Sequence, residues 1–140
     1  MERRAFLKAG CKLCGIAGIG LALSAFSSCA PMPLYKTSAA ESKVQIPLSL
    51  FDKSNLQIIR IADYPYDIAV RKNADGNFKA LLMRCTHADN QLMSTGKGFL
   101  CTSHGSNFDS EGLVTKGPAE RTLKSFTTEI NNVFLVIHLS

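Results

Sequence analysis

The sequence contains no tryptophan, and aromatic side chains make up only 8% of its 140 residues. Its apolar stretch near the N-terminus, residues 13–26, is shorter than the roughly 20 residues that a membrane-spanning helix needs. Five cysteines are an odd number, which excludes a framework in which every cysteine is paired within the chain. Apolar residues at 46% and charged residues at 19% exclude collagen-like and disordered chains. This length and composition predict one globular domain.

The net charge of +5 is concentrated at one end of the chain. Residues 1–28 hold four basic side chains against Glu2 alone. The remaining residues hold 12 basic and 10 acidic side chains, so they are nearly balanced. Nucleic-acid binding requires a basic patch or stripe. The sequence therefore predicts no nucleic-acid partner.

The first 28 residues have the features of a targeting segment. Arg3 and Arg4 stand two residues before Phe6-Leu7-Lys8, and the uncharged apolar residues 13–26 follow. Fourteen residues is the length of the apolar region of a signal peptide. This string resembles the twin-arginine export signal, whose pathway carries proteins already folded around a cofactor. It implies a signal segment at residues 1–28 and an exported, cell-envelope location; the alternative is a segment that is retained as an anchor.

Cys29 follows the apolar region in the string Phe26-Ser-Ser-Cys-Ala30. The string resembles a lipoprotein processing site, although Phe26 stands where leucine is usual. Cys29 is thus a candidate for lipidation, and two acyl chains hold a small domain on a membrane. Ordinary cleavage nearby is the alternative. Residues 29–42 lack a periodic apolar pattern and contain Pro31 and Pro33, so we predict a tether there.

Short runs rich in apolar and β-branched residues, broken by turn residues, fill the chain from residue 43 onward. They predict strands at 44–50, 56–61, 66–71, 78–84, 98–100, 113–115, 122–130 and 133–139. The last run is apolar on both faces, which favours an interior strand. Many short strands at this spacing predict an all-β sandwich or barrel over residues 43–140.

Two cysteines and two histidines form one constellation, Cys85-x-His87 followed after 13 residues by Cys101-x-x-His104. Two sulfur and two nitrogen ligands suit zinc or an iron–sulfur cluster. Neighbouring ligands of structural zinc sites are usually two to four residues apart. A gap of one residue is easier to accommodate if Cys85 and His87 bind different irons. The spacing therefore favours a two-iron cluster and keeps zinc as the alternative.

These motifs resemble those of the Rieske [2Fe-2S] family over residues 43–139. The resemblance implies that Cys85 and Cys101 bind one iron and that His87 and His104 bind the outer iron. It also implies an antiparallel β-sandwich or barrel that carries a small cluster-binding subdomain. Residues predicted to lie close around the cluster are Ser106, Phe108, Gly117 and Pro118. The last two match the proline loop of the family.

Two departures from the respiratory members of the family bear on its properties. Asn90 and Ser103 stand where those members have cysteines that form a disulfide, so we expect none here. Phe108 stands where they have a tyrosine whose hydroxyl lies near the cluster sulfurs. Hydrogen bonds to sulfur raise the reduction potential. The resemblance therefore implies a lower potential than that of the respiratory members.

The predicted function is that of an exported one-electron carrier with one [2Fe-2S] cluster, held to a membrane by a lipid or a retained signal. A redox partner would dock near His87 and His104. One alternative is a small Rieske subunit of a larger exported oxidoreductase or of a cytochrome bc-type complex. Another, of a different class, is a zinc-stabilised binding module without a redox role.

Overall fold

The computed structural model describes residues 32–140. The predicted signal segment and the lipidation candidate Cys29 lie outside these residues. Within them, no helix is long and apolar enough to cross a membrane.

Nearly all of the regular structure is β, as predicted. Eleven strands are present among residues 32–140: β1 Leu34–Thr37, β2 Lys43–Pro47, β3 Leu56–Ile61, β4 Ile68–Lys72, β5 Phe78–Leu82, β6 Met93–Ser94, β7 Gly98–Leu100, β8 Asn107–Asp109, β9 Val114–Lys116, β10 Ser125–Asn131 and β11 Phe134–His138. A short 3-10 helix, Leu48–Phe51, follows β2. We predicted a strand over residues 44–50, but the observed strand ends at Pro47 and the 3-10 helix takes the place of its last three residues.

Seven of the strands form one large sheet in the order β1-β3-β4-β5-β10-β11-β2, and β6 to β9 form a smaller sheet in sequence order. All the pairings within both sheets are antiparallel except that of β1 with β3. The last strand, β11, lies between β10 and β2, which confirms the prediction of an interior position. The large sheet is nearly closed on itself, so it forms the barrel and the small sheet forms a second layer.

The predicted tether, residues 29–42, contains a strand. Leu34–Thr37 pair in register with Ile58–Ile61 as β1, and Ile58 N–H donates to Pro33 O at 3.0 Å. Tyr35 packs against the barrel core while Leu34 and Lys36 face solvent. The four residues alternate between a packed and an exposed environment, as a strand does. The run was not predicted as a strand because it is short and half-exposed, and because its partner β3 lies more than 20 residues away in the sequence. The tether prediction is therefore corrected: residues 34–37 belong to the barrel.

Strands β3, β4 and β5 are buried on both faces because they separate two apolar cores. Their side chains alternate between the cores along each strand. In β4, for example, Ile68 and Val70 belong to the barrel core and Ala69 to the other. The second core lies between these strands and the small sheet, and it includes Cys85 and Cys101. This double burial explains why the strands appear in the sequence as nearly continuous apolar runs.

The loops that carry the cysteines lie at one end of this arrangement. Strand β5 runs from Phe78 to Leu82, and Cys85 follows three residues later. In the small sheet, Leu100 pairs with Met93 at the end of β7 that leads into Cys101. Both predicted ligand loops therefore extend from the ends of strands that share the second core.

Candidate metal centre

The first ligand loop is closed by two backbone hydrogen bonds around Cys85. Cys85 N–H donates to Asn90 O at 2.8 Å, and Asp89 N–H donates to Cys85 O at 3.0 Å. Asp89 has a φ of 54°, a left-handed conformation that aspartate tolerates better than most residues. The sharp turn exposes His87 at its tip and returns the chain to the core at Leu92.

The second ligand loop repeats this backbone pattern residue for residue. Cys101 N–H donates to Ser106 O at 2.8 Å, and Gly105 N–H donates to Cys101 O at 2.9 Å. Gly105, the fifth residue of the loop, has a φ of 79°. This left-handed position favours glycine there. The two loops are thus equivalent in their backbones and differ in where the histidine stands.

The four predicted ligands divide into a buried pair and an exposed pair. Cys85 and Cys101 are fully buried, and both thiols are free of disulfides. His87 and His104 are exposed, with ring centroids 5.0 Å apart and ring planes at 89°. In the described part of the chain, no three histidine, cysteine or acidic side chains converge on a single ion. Two inner sulfurs and two outer nitrogens fit a cluster with two irons.

The surroundings of Cys85 favour its thiolate. Burial acts to raise the pKa of the thiol, since it disfavours the charged form. The backbone N–H groups of His87 and Ala88 oppose this, and the side chains of Cys101 and Ser106 add hydrogen bonds. Together these donors hold the pKa of Cys85 below its ordinary value. A thiolate is the form that binds metal.

Ser106 links both ligand loops to the proline loop. It is fully buried, its carbonyl accepts from Cys101 N–H, and its hydroxyl accepts a hydrogen bond from Ala119 N–H at 3.0 Å and helps to lower the pKa of Cys85. Ala119 follows the exposed Gly117 and Pro118, which are joined by a cis peptide bond. The structure therefore brings the predicted proline loop next to the predicted ligands.

Phe108 lies in the second core together with Cys85 and Cys101. It is paired with Phe99 across β7 and β8, and both rings are buried. At this position the chain offers the site an apolar ring without a hydroxyl. This part of the second core is therefore poorer in hydrogen-bond donors than a tyrosine would make it.

Sequence reasoning missed a clamp between the first ligand loop and the segment after the proline loop. Thr86 Oγ1 donates to Arg121 O at 2.6 Å, and Arg121 Nη2 donates to Thr86 O at 3.3 Å. Thr86 is the unspecified residue of Cys-x-His, and Arg121 is 35 positions away. Nothing in the sequence pattern connects the two.

A second missed support lies at the outer edge of the first loop. Arg84 forms an ion pair with Asp89 at 2.7 Å and lies over the ring of Tyr66, 5.7 Å from its centroid. The hydroxyl of Tyr66 donates to Asp89 O at 2.6 Å. Two side chains, those of Arg84 and Tyr66, thus hold Asp89, the residue with left-handed backbone on which the turn depends.

Asn90, Ser103 and His138 lie outside the set of four predicted ligands. Asn90 is half-buried and Ser103 is exposed, and neither can form the disulfide of the respiratory proteins. His138 lies in β11, with its Nε2 3.3 Å from Glu129 Oε1, as a histidine packed on the barrel. It belongs to no ligand loop.

The model of the Rieske [2Fe-2S] domain matches residues 47–127, which is more than half of the chain and contains both ligand loops. The chain belongs to the Rieske [2Fe-2S] domain family. The domain implies one [2Fe-2S] cluster, and the buried thiols and exposed imidazoles described above fit it. The zinc-stabilised module considered from the sequence is therefore set aside.

Individual relatives agree with this assignment. A cytochrome b6-f complex iron-sulfur subunit 2 from Nostoc sp. is 28% identical over 82 residues, which cover 57% of this chain and 46% of that subunit. The match thus spans less than half of the relative. The subunit from Trichormus variabilis has the same values.

Solved structures share the fold. The plasma membrane Rieske protein PetC3 from Synechocystis superimposes with a TM-score of 0.56 at 24% identity, covering 67% of this chain and 97% of that one. The ferredoxin of carbazole 1,9a-dioxygenase from Nocardioides aromaticivorans superimposes with a TM-score of 0.51 at 15% identity, covering 71% and 99%. Both comparisons cover nearly the whole of the other chain.

Proposed function

We propose that the protein is an exported one-electron carrier that is tethered to a membrane. Cys85 and Cys101 hold the inner iron of the cluster, and His87 and His104 hold the outer iron. When bound, the cluster accepts or releases one electron. The main observation that supports this proposal is that two of the four donors are fully buried thiols and the other two are exposed imidazoles.

The residues of the chain supply what such a carrier needs. The second core excludes water from the thiolate side, because Phe99, Phe108 and Leu92 surround the cysteines there. The imidazoles are exposed, which supports an electron exit at the surface, where a partner can approach. A groove of about 420 Å³ beside His87, lined also by Thr86, Pro118, Glu120 and Arg121, belongs to this docking face. Such encounters are small and transient.

A role as the small subunit of a larger exported oxidoreductase or bc-type complex is the second candidate. The identity to cytochrome b6-f subunits supports it. The fold is shared with a ferredoxin of carbazole 1,9a-dioxygenase and with the plasma membrane Rieske protein PetC3 over nearly the whole length of each, which fits a carrier made of one small domain. Isolation of the native protein distinguishes the two: a stoichiometric partner subunit supports the complex, and a single chain supports the carrier.

The ligand set is tested by electron paramagnetic resonance of the dithionite-reduced protein, with iron and sulfide analysis. The native protein should give the rhombic signal of a His-ligated [2Fe-2S] cluster. His104→Ala should abolish it. His138→Ala is the matched control, because it removes a histidine that lies in β11, outside both ligand loops, with its Nε2 3.3 Å from Glu129 Oε1. A full signal in His104→Ala would refute the ligand assignment.

Export and tethering are tested separately in cells. Replacing Arg3 and Arg4 with lysine should block export through the twin-arginine pathway. Labelling with radioactive palmitate should be lost in Cys29→Ser if Cys29 carries the lipid. Retained labelling would place the lipid elsewhere, and export of the lysine variant would point to another route.

A further inference from the structure

The end of the barrel away from the ligand loops carries a group of exposed apolar side chains, which we call the apolar end. It consists of Ile130, Val133 and Phe134 at the β10–β11 turn, with Met32 and Leu34 where the described chain begins. Their exposed fractions are 58%, 65%, 41%, 40% and 43%. Large apolar residues grouped on a surface mark interaction sites.

Strand pairing places these residues at one end of the sheet. Leu48 N–H donates to Val133 O at 2.9 Å, and Phe134 pairs with Pro47. Thr128 Oγ1 donates to Phe78 O at 3.0 Å, so Ile130 extends beyond the first residue of β5. Cys85 follows the other end of β5, roughly 20 Å away along seven residues of largely extended chain.

The first described residues, before β1, also lie near the apolar end of the barrel. Strand β1 is parallel to β3, which begins at Leu56, opposite Arg71 near the end of β4. Pro33 O accepts from Ile58 N–H, so Met32 precedes the first paired residues of β1. The chain therefore enters the barrel from the side opposite the ligand loops.

The position of β1 leaves little free chain before the barrel. A tether over residues 29–42 would span up to about 45 Å, but the strand begins at Leu34. From Cys29 to Leu34 there are five residues, which reach at most about 17 Å. If the apolar residues 13–26 are retained as the anchor instead, Phe26 is eight residues from Leu34, or at most about 28 Å.

We propose that the apolar end rests on the lipid bilayer surface and holds the ligand loops away from it. This rests on the proposed membrane tether, because the short reach brings the beginning of β1 to the membrane. The turn at the apolar end consists of Asn132 and Val133, which follow Asn131 at the end of β10, and the nearby carboxylate of Glu129 is paired with His138. Apolar side chains at an uncharged turn suit the boundary between headgroups and acyl chains.

Charge contributes little to this surface. Lys53 and Lys72 near the apolar end are balanced by Asp52 and Asp75, and all four are exposed. A surface held by cations would bind better to anionic lipid. The proposal therefore requires contact that depends only weakly on lipid charge.

The absence of tryptophan makes a direct test possible, since a single introduced tryptophan is the only one in the chain. The full-length protein carrying Val133→Trp is reconstituted with vesicles of phosphatidylethanolamine and phosphatidylglycerol, with and without doxyl-labelled lipid. The matched control is Met93→Trp, which is exposed to a similar extent but pairs with Leu100 beside Cys101. Ile130→Trp provides a second probe of the apolar end, and the visible spectrum of the cluster reports correct folding.

Quenching by doxyl lipid at Val133→Trp should be at least about twofold stronger than at Met93→Trp, and its emission should shift to the blue only when lipid is present. Equal quenching at both positions, in protein that floats with the vesicles, would overturn the proposal and leave the tether standing. Failure to float would refute the tether and this proposal together.

Two other results would also overturn it. A blue shift without lipid that grows with protein concentration would show that a second copy of the chain covers the apolar end. Quenching that requires phosphatidylglycerol, and is lost in phosphatidylcholine vesicles, would show contact by charge. Quenching at Val133→Trp that is the same with phosphatidylglycerol and in phosphatidylcholine vesicles supports the apolar contact.

Discussion

Removal of the Ser106 hydroxyl should lower the reduction potential of the cluster. This hydroxyl is fully buried, accepts from Ala119 N–H at 3.0 Å and is one of the groups that lower the pKa of the Cys85 thiol. Reduction adds negative charge to the cluster and its sulfurs, so a hydrogen bond donated to sulfur stabilises the reduced state more than the oxidised one. Ser106→Ala removes this preference.

The size of the effect follows from the energy of one hydrogen bond. A hydrogen bond to a charged group contributes about 1.5–3 kcal/mol. If about half of it differs between the oxidation states, the potential falls by roughly 30–65 mV, because 59 mV corresponds to a tenfold change for one electron. The buried Ala119 N–H also loses its acceptor, at a cost of about 1–3 kcal/mol. For a domain of this size, Tm should fall by about 4 °C or more.

A redox titration followed by visible circular dichroism measures the potential, and calorimetry measures Tm. Ser103→Ala is the control, because Ser103 lies in the same loop and is exposed. It should change neither value. An unchanged potential in Ser106→Ala, with the cluster fully occupied, would refute the argument that this hydroxyl stabilises the reduced state.

Three further predictions concern the walls and supports of the site. Phe108→Tyr should raise the potential in the same titration by returning a hydroxyl to a buried position near the sulfurs; an unchanged value would exclude Phe108 as a cause of low potential. Gly98→Ala should destabilise the protein by about 1–3 kcal/mol or more in urea unfolding, because its Cβ would lie 2.2 Å from Phe108 O; native stability would contradict the close packing of β7 and β8. Thr86→Val should shorten the time for iron loss to a chelator, because it removes the 2.6 Å bond to Arg121 O; an unchanged rate would show that the clamp does not hold the loop.

The ligand loops were predictable because their signal is local. Cys85 and His87 stand within three residues, Cys101 and His104 within four, and each loop closes on itself through its own backbone. Gly105 is also local, since the repeated turn requires a left-handed residue in the fifth position. Asp89 meets the same requirement without glycine, so its role was not visible in the sequence.

Strand positions were predictable where apolar and β-branched residues form a run of five or more that is bounded by turn residues. The prediction for β3 matches its observed bounds, and those for β5, β10 and β11 differ from them by one to three residues. Strands β1, β6 and β8 were missed, since they have two to four residues and depend on partners elsewhere. The Thr86–Arg121 clamp has the same character, because its residues meet only after the barrel and the small sheet have packed together.

The sharing of β3, β4 and β5 by two cores has a consequence for how the protein unfolds. Neither core can lose these strands without exposing the apolar side chains of the other, so the barrel and the small sheet should melt in one cooperative transition. Removing iron disturbs the core that contains Cys85 and Cys101, yet Tyr35 on the other side of the strands should register the change. Loss of the metal would then become a folding event for the whole domain, detectable by far-ultraviolet circular dichroism as loss of strand structure in the barrel.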